Sequence, residues 1–169
     1  AQLCATGEHE AAALLGLACD RAGIATQVLD ARTTSIRTRG DVLDGEPVSL
    51  NAGAIFGALR DATVVIIPGF IGHDEAGNLT LLGRGGSDLS AIFIASVLGA
   101  RCRLVKDVPA LFDRDPSEEG AQRYSRVSWQ TLRAFSGKAI QAKAAACALR
   151  NRQYFEIAAP LSDEATIIG

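Results

Sequence analysis

The stretch "ATVVIIPGF", residues 62 to 70, constrains the fold more than any other part of the chain. Val64, Val65, Ile66 and Ile67 follow one another with no polar residue between them. Consecutive β-branched residues are stiff at χ1 and favour extended backbone. A strand without polar alternation needs cover on both faces, which is the situation of a strand inside a parallel sheet. Parallel strands are joined by crossovers of a dozen or more residues, usually helical. The remainder of the chain must therefore supply helices, and with 169 residues it is long enough to do so and still bury a core.

Helical and extended patterns do alternate. "EHEAAALLGLACDRAG" (8–23) has helical apolar spacing with Gly23 to end it, and "TQVLD" (26–30) reads as the strand that follows. "TTSIRTRGDVLDGEPVSL" (33–50) turns at Gly40 and Asp44-Gly45 and predicts a hairpin. Asn51 is expected to cap a helix over 52–61, and Ser87 to cap another that runs to about Leu98. "ARCRLVKDV" (100–108) predicts a further strand, and "FDRDPSEEG" (112–120) a turn-rich connection in which Pro116 keeps Asp115 out of helix. Ser128 opens a short helix, Lys138 begins an alanine-rich one, and "QYFEIAA" and "ATII" close the chain as strands. No repeat, low-complexity tract or linker interrupts this order, so residues 1–169 are expected to form a single α/β domain.

Composition narrows the partners. Seventeen basic and nineteen acidic residues are interspersed, with a net charge of -2 and no basic face to follow a phosphate backbone, so nucleic acid is not expected. Cys4, Cys19, Cys102 and Cys147 are far apart and only His9 and His73 join them, so no metal site is expected and the thiols should be reduced and mostly buried. No segment approaches the ~20 apolar residues of a membrane span, and "AAALLGLA" lacks the basic flank of a secretory signal. A cytoplasmic location is the expectation.

Three loops follow strands, where ligands gather in open parallel sheets. "PGFIG" (68–72) has glycines that allow positive φ or close backbone approach, which an ordinary turn would also use. "LGRGGSD" (82–88) leads into a helix, and there Ser87 and Asp88 have a capping explanation while Arg84 has none. A helix N-terminus and a guanidinium together suit a carboxylate, and Asp88 suits a cation, so the pair fits a zwitterion such as an amino acid. "VKDVPALFDRDP" (105–116) offers Lys106 and Asp107 at a strand end, a pattern that serves a nucleotide or simply a solvated ion pair.

Taken in order, "TGEHE", "PGFIG", "LGRGGSD", "LGARCRLVKDV", "FDRDP", "GKAIQ" and "ATIIG" resemble the aspartate kinase branch of the amino-acid kinase family. The resemblance spans nearly the whole chain. It implies the family's three-layer α-β-α sandwich with a mainly parallel sheet, the carbamate kinase-like fold, incomplete at the N-terminus. It also implies the family's reaction, phosphorylation of the L-aspartate side-chain carboxylate by ATP with Mg²⁺, on the way to lysine, threonine and methionine. Glu8, Phe70, Gly72, Arg84, Ser87 and Asp88 fall where the family binds aspartate, with Arg84 on the α-carboxylate and an acidic residue on the amino group. Arg84 and Asp88 are the residues that would matter most to catalysis. Lys106, Asp107, Phe112, Asp115 and Lys138 fall where the family holds the nucleotide.

The departures from the family pattern have one direction. The "KFGG"-like strand and loop, whose lysine neutralises the transferring phosphate, has no counterpart, and the match begins well inside the kinase domain. Lys106 replaces a small residue, Pro109-Ala110 replace the pair that follows "DV", Phe112 replaces a tyrosine, Ser117 a basic residue, and Gln141-Ala142 the family's "HP". The amino-acid side keeps its pattern while the nucleotide side has changed. Two expectations follow from the resemblance. The first is a piece of an aspartate kinase that is active only with its upstream part. The second is a non-catalytic amino-acid-binding module of a larger enzyme, such as a homoserine dehydrogenase fusion. Self-association into a homo-oligomer is compatible with either.

Overall fold

The computed structural model describes residues 1–34, 36–115, 117–132 and 139–169, which form two compact units, Ala1–Ser90 and Ala91–Gly169. The α/β class expected from the sequence is what is found. Among the described residues four of seven strand pairings are parallel. No described helix is long and apolar enough to cross a membrane.

The first unit begins with α1 (Gln2–Arg21), an alanine- and leucine-rich helix longer than its pattern suggested. Gly23 ends it with φ 72° in a Schellman arrangement, in which the Gly23 N–H donates to the Asp20 carbonyl and the Ile24 N–H to that of Cys19. The chain then forms β1 (Thr26–Val28), a single helical turn α2 (Ala31–Thr34), and the antiparallel hairpin of β2 (Arg37–Arg39) and β3 (Glu46–Ser49). Asn51 caps α3 (Ala52–Asp61) as its sequence position predicts, its Oδ1 accepting from the Ala54 N–H at 3.2 Å.

The valine–isoleucine run becomes β4 (Val64–Ile66), parallel to β1 and packed by α1 and α3. Only Ile66 is buried, because β1 is the one strand neighbour of β4 among the described residues. β5 (Ile71–His73) and β6 (Leu79–Leu81) then add to the hairpin, giving a sheet in the order β3-β2-β5-β6. Ala5 of α1, Ala31 of α2 and Ile71 of β5 pack into one cluster, with Leu79 against it.

Helix α4 (Gly86–Leu98) starts in the first unit and continues into the second. There β7 (Cys102–Val105), β8 (Arg126–Val127), β9 (Phe155–Ala158) and β10 (Thr166–Ile168) make a sheet in the order β7-β9-β10-β8. Ser128 caps the short α5 (Trp129–Leu132), its Oγ accepting from the Thr131 N–H at 3.0 Å. The alanine-rich helix α6 (Ala142–Asn151) starts after Gln141, four residues later than Lys138, the start expected for it, which lies outside the described residues. Phe155, Ile157, Ile168, Leu132 and Cys147 are fully enclosed in this unit. No disulfide joins the four cysteines; Cys102 and Cys147 are buried, Cys19 is half-buried and Cys4, near the start of α1, is exposed, so half of the thiols rather than most are buried.

Candidate functional site

Helix α4 begins on a turn built from glycines, and that turn organises the candidate site. Gly83 and Gly85 have φ of 75° and 76°, the left-handed region that glycine enters without a Cβ penalty, and they bracket Arg84. The Gly86 N–H closes the turn on the Gly83 carbonyl at 2.9 Å. The first intrahelical bond runs from the Leu89 N–H to the Gly85 carbonyl at 3.1 Å, so Gly85 and not Ser87 is the N-cap. Ser87 therefore sits inside the first helical turn. Its exposed hydroxyl makes no hydrogen bond among the described residues, so the capping explanation for it does not hold. Arg84 is exposed, with no ion pair or hydrogen bond among the described residues. Asp88 lies half-buried one residue further on, in the same first turn.

The "PGFIG" loop lies directly against this turn. Phe70 has φ 65°, an uncommon backbone conformation for a large side chain that costs on the order of 1–3 kcal/mol unless neighbours fix it. Two hydrogen bonds do so. The Phe70 N–H donates to Ser90 Oγ at 2.7 Å, and the Phe70 carbonyl accepts from the Leu82 N–H at 2.9 Å. A Cβ at Gly86 would stand 2.5 Å from Phe70 Cδ2, so glycine is required there for the ring to lie where it does. A Cβ at Gly69 would sit 3.6 Å from Ser87 Cα, so loop and helix are in van der Waals contact.

Gly72, the last glycine of the loop, is enclosed by Thr38, Ile36 and Thr80, and any Cβ there would overlap Thr38 Cγ2. Packing alone accounts for it, since it has no side chain to present. A similar constraint acts at the other side of Arg84. The β2–β3 turn is laced to the end of β6 by two bonds of 2.8 Å, from the Gly45 N–H to the Leu81 carbonyl and from the Leu81 N–H to the Val42 carbonyl. Asp44 of that turn lies close over Gly83, where a Cβ would stand 2.8 Å from Asp44 Cγ, so any substitution must displace the Asp44 side chain as well as accept a positive φ.

Glu8 is carried by α1, one turn beyond Ala5 on the same helical face, and Ala5 packs on Ile71 next to the loop. It is half-buried, and burial holds its carboxyl above the ordinary carboxylate range, partly offset by nearby His9. The structure thus gathers Phe70, Gly72, Arg84, Ser87 and Asp88 around one loop–helix junction, with Glu8 on a helix packed beside it.

A separate cleft of about 580 Å³ opens at the end of β1, lined by His9, Asp30, Arg32 and His73 among others. His73 is buried and its Nδ1 has no hydrogen-bond partner among the described residues. Burial and then Arg32 hold its pKa below the ordinary histidine value.

The residues expected to hold a nucleotide belong to the second unit. Lys106 is half-buried at the end of β7 and its backbone N–H extends the ladder to the Ala158 carbonyl at 2.8 Å. Asp107 is exposed, and Phe112 is half-buried in a single bridge with Arg123. Asp115 accepts from the Ser117 hydroxyl at 2.6 Å and from its N–H at 2.9 Å, and these bonds hold its carboxyl below the usual range. Lys138 lies outside the described residues. Two contributors escaped sequence reasoning: Ser90, an unremarkable serine in an apolar helix, and Asp44, whose position over Gly83 depends on a pairing 39 residues apart.

The amino acid kinase family matches residues 1–154. An aspartokinase of Helicobacter pylori is 33% identical over 133 residues, covering 78% of this chain and 33% of that protein. One of Thermus thermophilus is 36% identical over 115 residues, covering 68% of this chain and 28% of its own length. Among solved structures, E. coli aspartokinase III in complex with aspartate and ADP superposes with a TM-score of 0.83 at 25% identity, covering 96% of this chain and 38% of that one. Aspartate kinase from Synechocystis gives 0.79 at 29% identity, covering 99% of this chain and 28% of that one. The chain spans about a third of the length of the curated relatives it matches. It belongs to the amino acid kinase family, and its similarity within that family is to the aspartate kinases.

Proposed function

We propose that this chain carries the amino-acid side of an aspartate kinase, the enzyme that moves the γ-phosphoryl group of ATP onto the side-chain carboxylate of L-aspartate. The observation that carries the reading is Arg84, a guanidinium with no partner among the described residues, standing between two left-handed glycines at a helix N-terminus. A planar fork at the positive end of a helix suits a carboxylate, and charge-assisted bidentate bonds are among the stronger polar contacts. In this reading Arg84 and the Ser87 region take the α-carboxylate, Asp88 and Glu8 take the amino group, and Phe70 walls the site. The side-chain carboxylate that reacts is already ionised at neutral pH, with a reference pKa of about 3.9, so no general base is needed. What the reaction needs is positioning and neutralised charge.

The nucleotide would be held by Lys106, Asp107, Phe112 and Lys138. Asp115 has its carboxylate committed to Ser117, which fits a loop-shaping role better than a direct contact. Among the described residues no three His, Cys, Asp or Glu side chains gather into a cation cage, so magnesium would arrive on the triphosphate. When bound, it supplies charge neutralisation at the phosphates. A second reading, an amino-acid-binding module without catalysis, is favoured by that committed Asp115 and by the altered residues around it.

Calorimetric titration with L-aspartate, succinate and Mg-ATP tests both. The proposal expects aspartate to bind, succinate to bind more weakly because it lacks the amino group, and Arg84→Ala to weaken aspartate by at least about tenfold. Equal affinity in the Arg84 variant, or no aspartate binding at all, refutes it. Aspartate binding without nucleotide binding selects the module over the kinase.

A further inference from the structure

Building on the reading of the Arg84 loop as an aspartate site, we propose that Ser90 is a positioning residue for that site, acting through Phe70 rather than on the ligand. Ser90 is buried, at 2% exposure, in the second turn of α4. Its hydroxyl hydrogen goes to the Gly86 carbonyl at 2.7 Å, a bond that serines inside helices commonly make. That bond fixes the orientation of the oxygen and leaves a lone pair for a second partner, and the partner is the Phe70 N–H, also at 2.7 Å. One hydroxyl therefore ties the first turn of α4 to a residue 20 positions upstream.

The tie acts where the chain most needs it. Phe70 is the one loop residue with a side chain at positive φ, and no intrinsic preference keeps it there. Its ring lies in the space left by the missing Cβ of Gly86, immediately before Ser87 and Asp88. Without the Ser90 bond the Phe70 N–H loses its acceptor and the backbone can relax toward the extended region. The ring would then leave Gly86, and Gly69 would lose its contact with Ser87. The Ser90 hydroxyl thus sets the aromatic wall relative to the groups that would hold the amino acid. Nothing in the sequence singles out Ser90 within its apolar helix, and only the two bonds reveal the role.

The test uses this chain with Ser90→Ala and Ser90→Thr, the second of which keeps the hydroxyl. Amide exchange at Phe70, followed by NMR without ligand, should accelerate at least about tenfold in Ser90→Ala and return toward wild type in Ser90→Thr. The dissociation constant for L-aspartate should rise on the order of tenfold in Ser90→Ala and recover in Ser90→Thr. Unchanged exchange and affinity in Ser90→Ala, or no recovery in Ser90→Thr, overturns the inference while leaving the aspartate reading intact. Absence of aspartate binding by the wild-type chain overturns that reading and this role with it. Should Ser90→Ala fail to fold, it is placed in a Phe70→Gly background, where glycine accepts positive φ freely. The proposal then expects the double variant to fold, and its failure to do so would assign Ser90 to general packing instead.

Discussion

Gly72→Ala offers a direct measure of how tightly the sheet beneath the candidate site is packed. Gly72 lies in β5 with Thr38 of β2 on one side and Thr80 of β6 on the other. A new Cβ would overlap Thr38 Cγ2 and would stand 3.0 Å from the Ile36 carbonyl oxygen and 3.2 Å from Thr80 Oγ1. None of these can step aside easily. Thr38 and Thr80 are each 2% exposed and their hydroxyls are bonded to one another at 2.7 Å, while the Ile36 carbonyl accepts from the His73 N–H. Overpacking of this kind costs about 1–3 kcal/mol, and the reduced freedom of the unfolded chain returns about 0.4–1 kcal/mol. The expected net loss is about 1–2 kcal/mol, or about 2–8 °C in melting temperature for a chain of this size. Thermal unfolding by circular dichroism reads it. Thr38→Ser removes the overlapping methyl yet keeps the hydroxyl pair, so adding it to Gly72→Ala should restore most of the loss even though Thr38→Ser alone is mildly destabilising. A Gly72→Ala protein as stable as wild type, or one that Thr38→Ser fails to rescue, would refute the packing argument and return Gly72 to a role in ligand contact.

Other expectations are simpler. Asn51→Ala removes the cap of α3 and should cost about 1 kcal/mol, seen as a lower denaturation midpoint with an unchanged slope. Arg84→Ala, at an exposed position without partners among the described residues, should leave stability within about 0.5 kcal/mol of wild type, so that any loss of aspartate binding reflects the site alone. His73 makes stability depend on pH. Its folded pKa is lowered from 6.5, chiefly by burial and then by Arg32, with Arg37 in the same direction and Asp30 and Asp74 opposing. Between the folded and unfolded values the unfolded chain binds more protons, so the contribution is complete above about pH 6.5 and is lost as the pH falls toward the folded value. Melting temperatures across pH 5 to 8 should decline on the acid side, and His73→Phe should flatten that decline.

Local rules carried much of the fold. Asn51 and Ser128 cap the helices they precede, Gly23 ends α1, and the turn at Asp44-Gly45 produces the expected hairpin, because each signal acts within a few residues of itself. Ser87 fails as a cap for a reason that the sequence does not display. The left-handed Gly85 presents its carbonyl first, and that moves the helix start forward to Gly86. β4 is less covered than its composition suggests, since the sequence shows what a strand would bury but not which neighbours it has. At the candidate site Arg84 and Asp88 stand out by residue type and spacing, and Glu8 only through the family resemblance. The Ser90 tie and the Asp44–Gly83 approach were not, since both depend on segments brought together only by the tertiary fold.

The approach of Asp44 to Gly83 has a practical consequence for anyone engineering this protein. A polar, glycine-containing hairpin tip is where one would ordinarily insert a tag, a label or a circular-permutation junction, since such tips tolerate new residues well. Here the tip of β2–β3 is fastened to the last residue of β6, three positions before Arg84. An insertion between Val42 and Gly45 would act on the guanidinium from a distance in sequence that no local inspection would flag. The tip around Glu75 and Ala76, on the other hairpin of the same sheet, is exposed and makes the safer graft point.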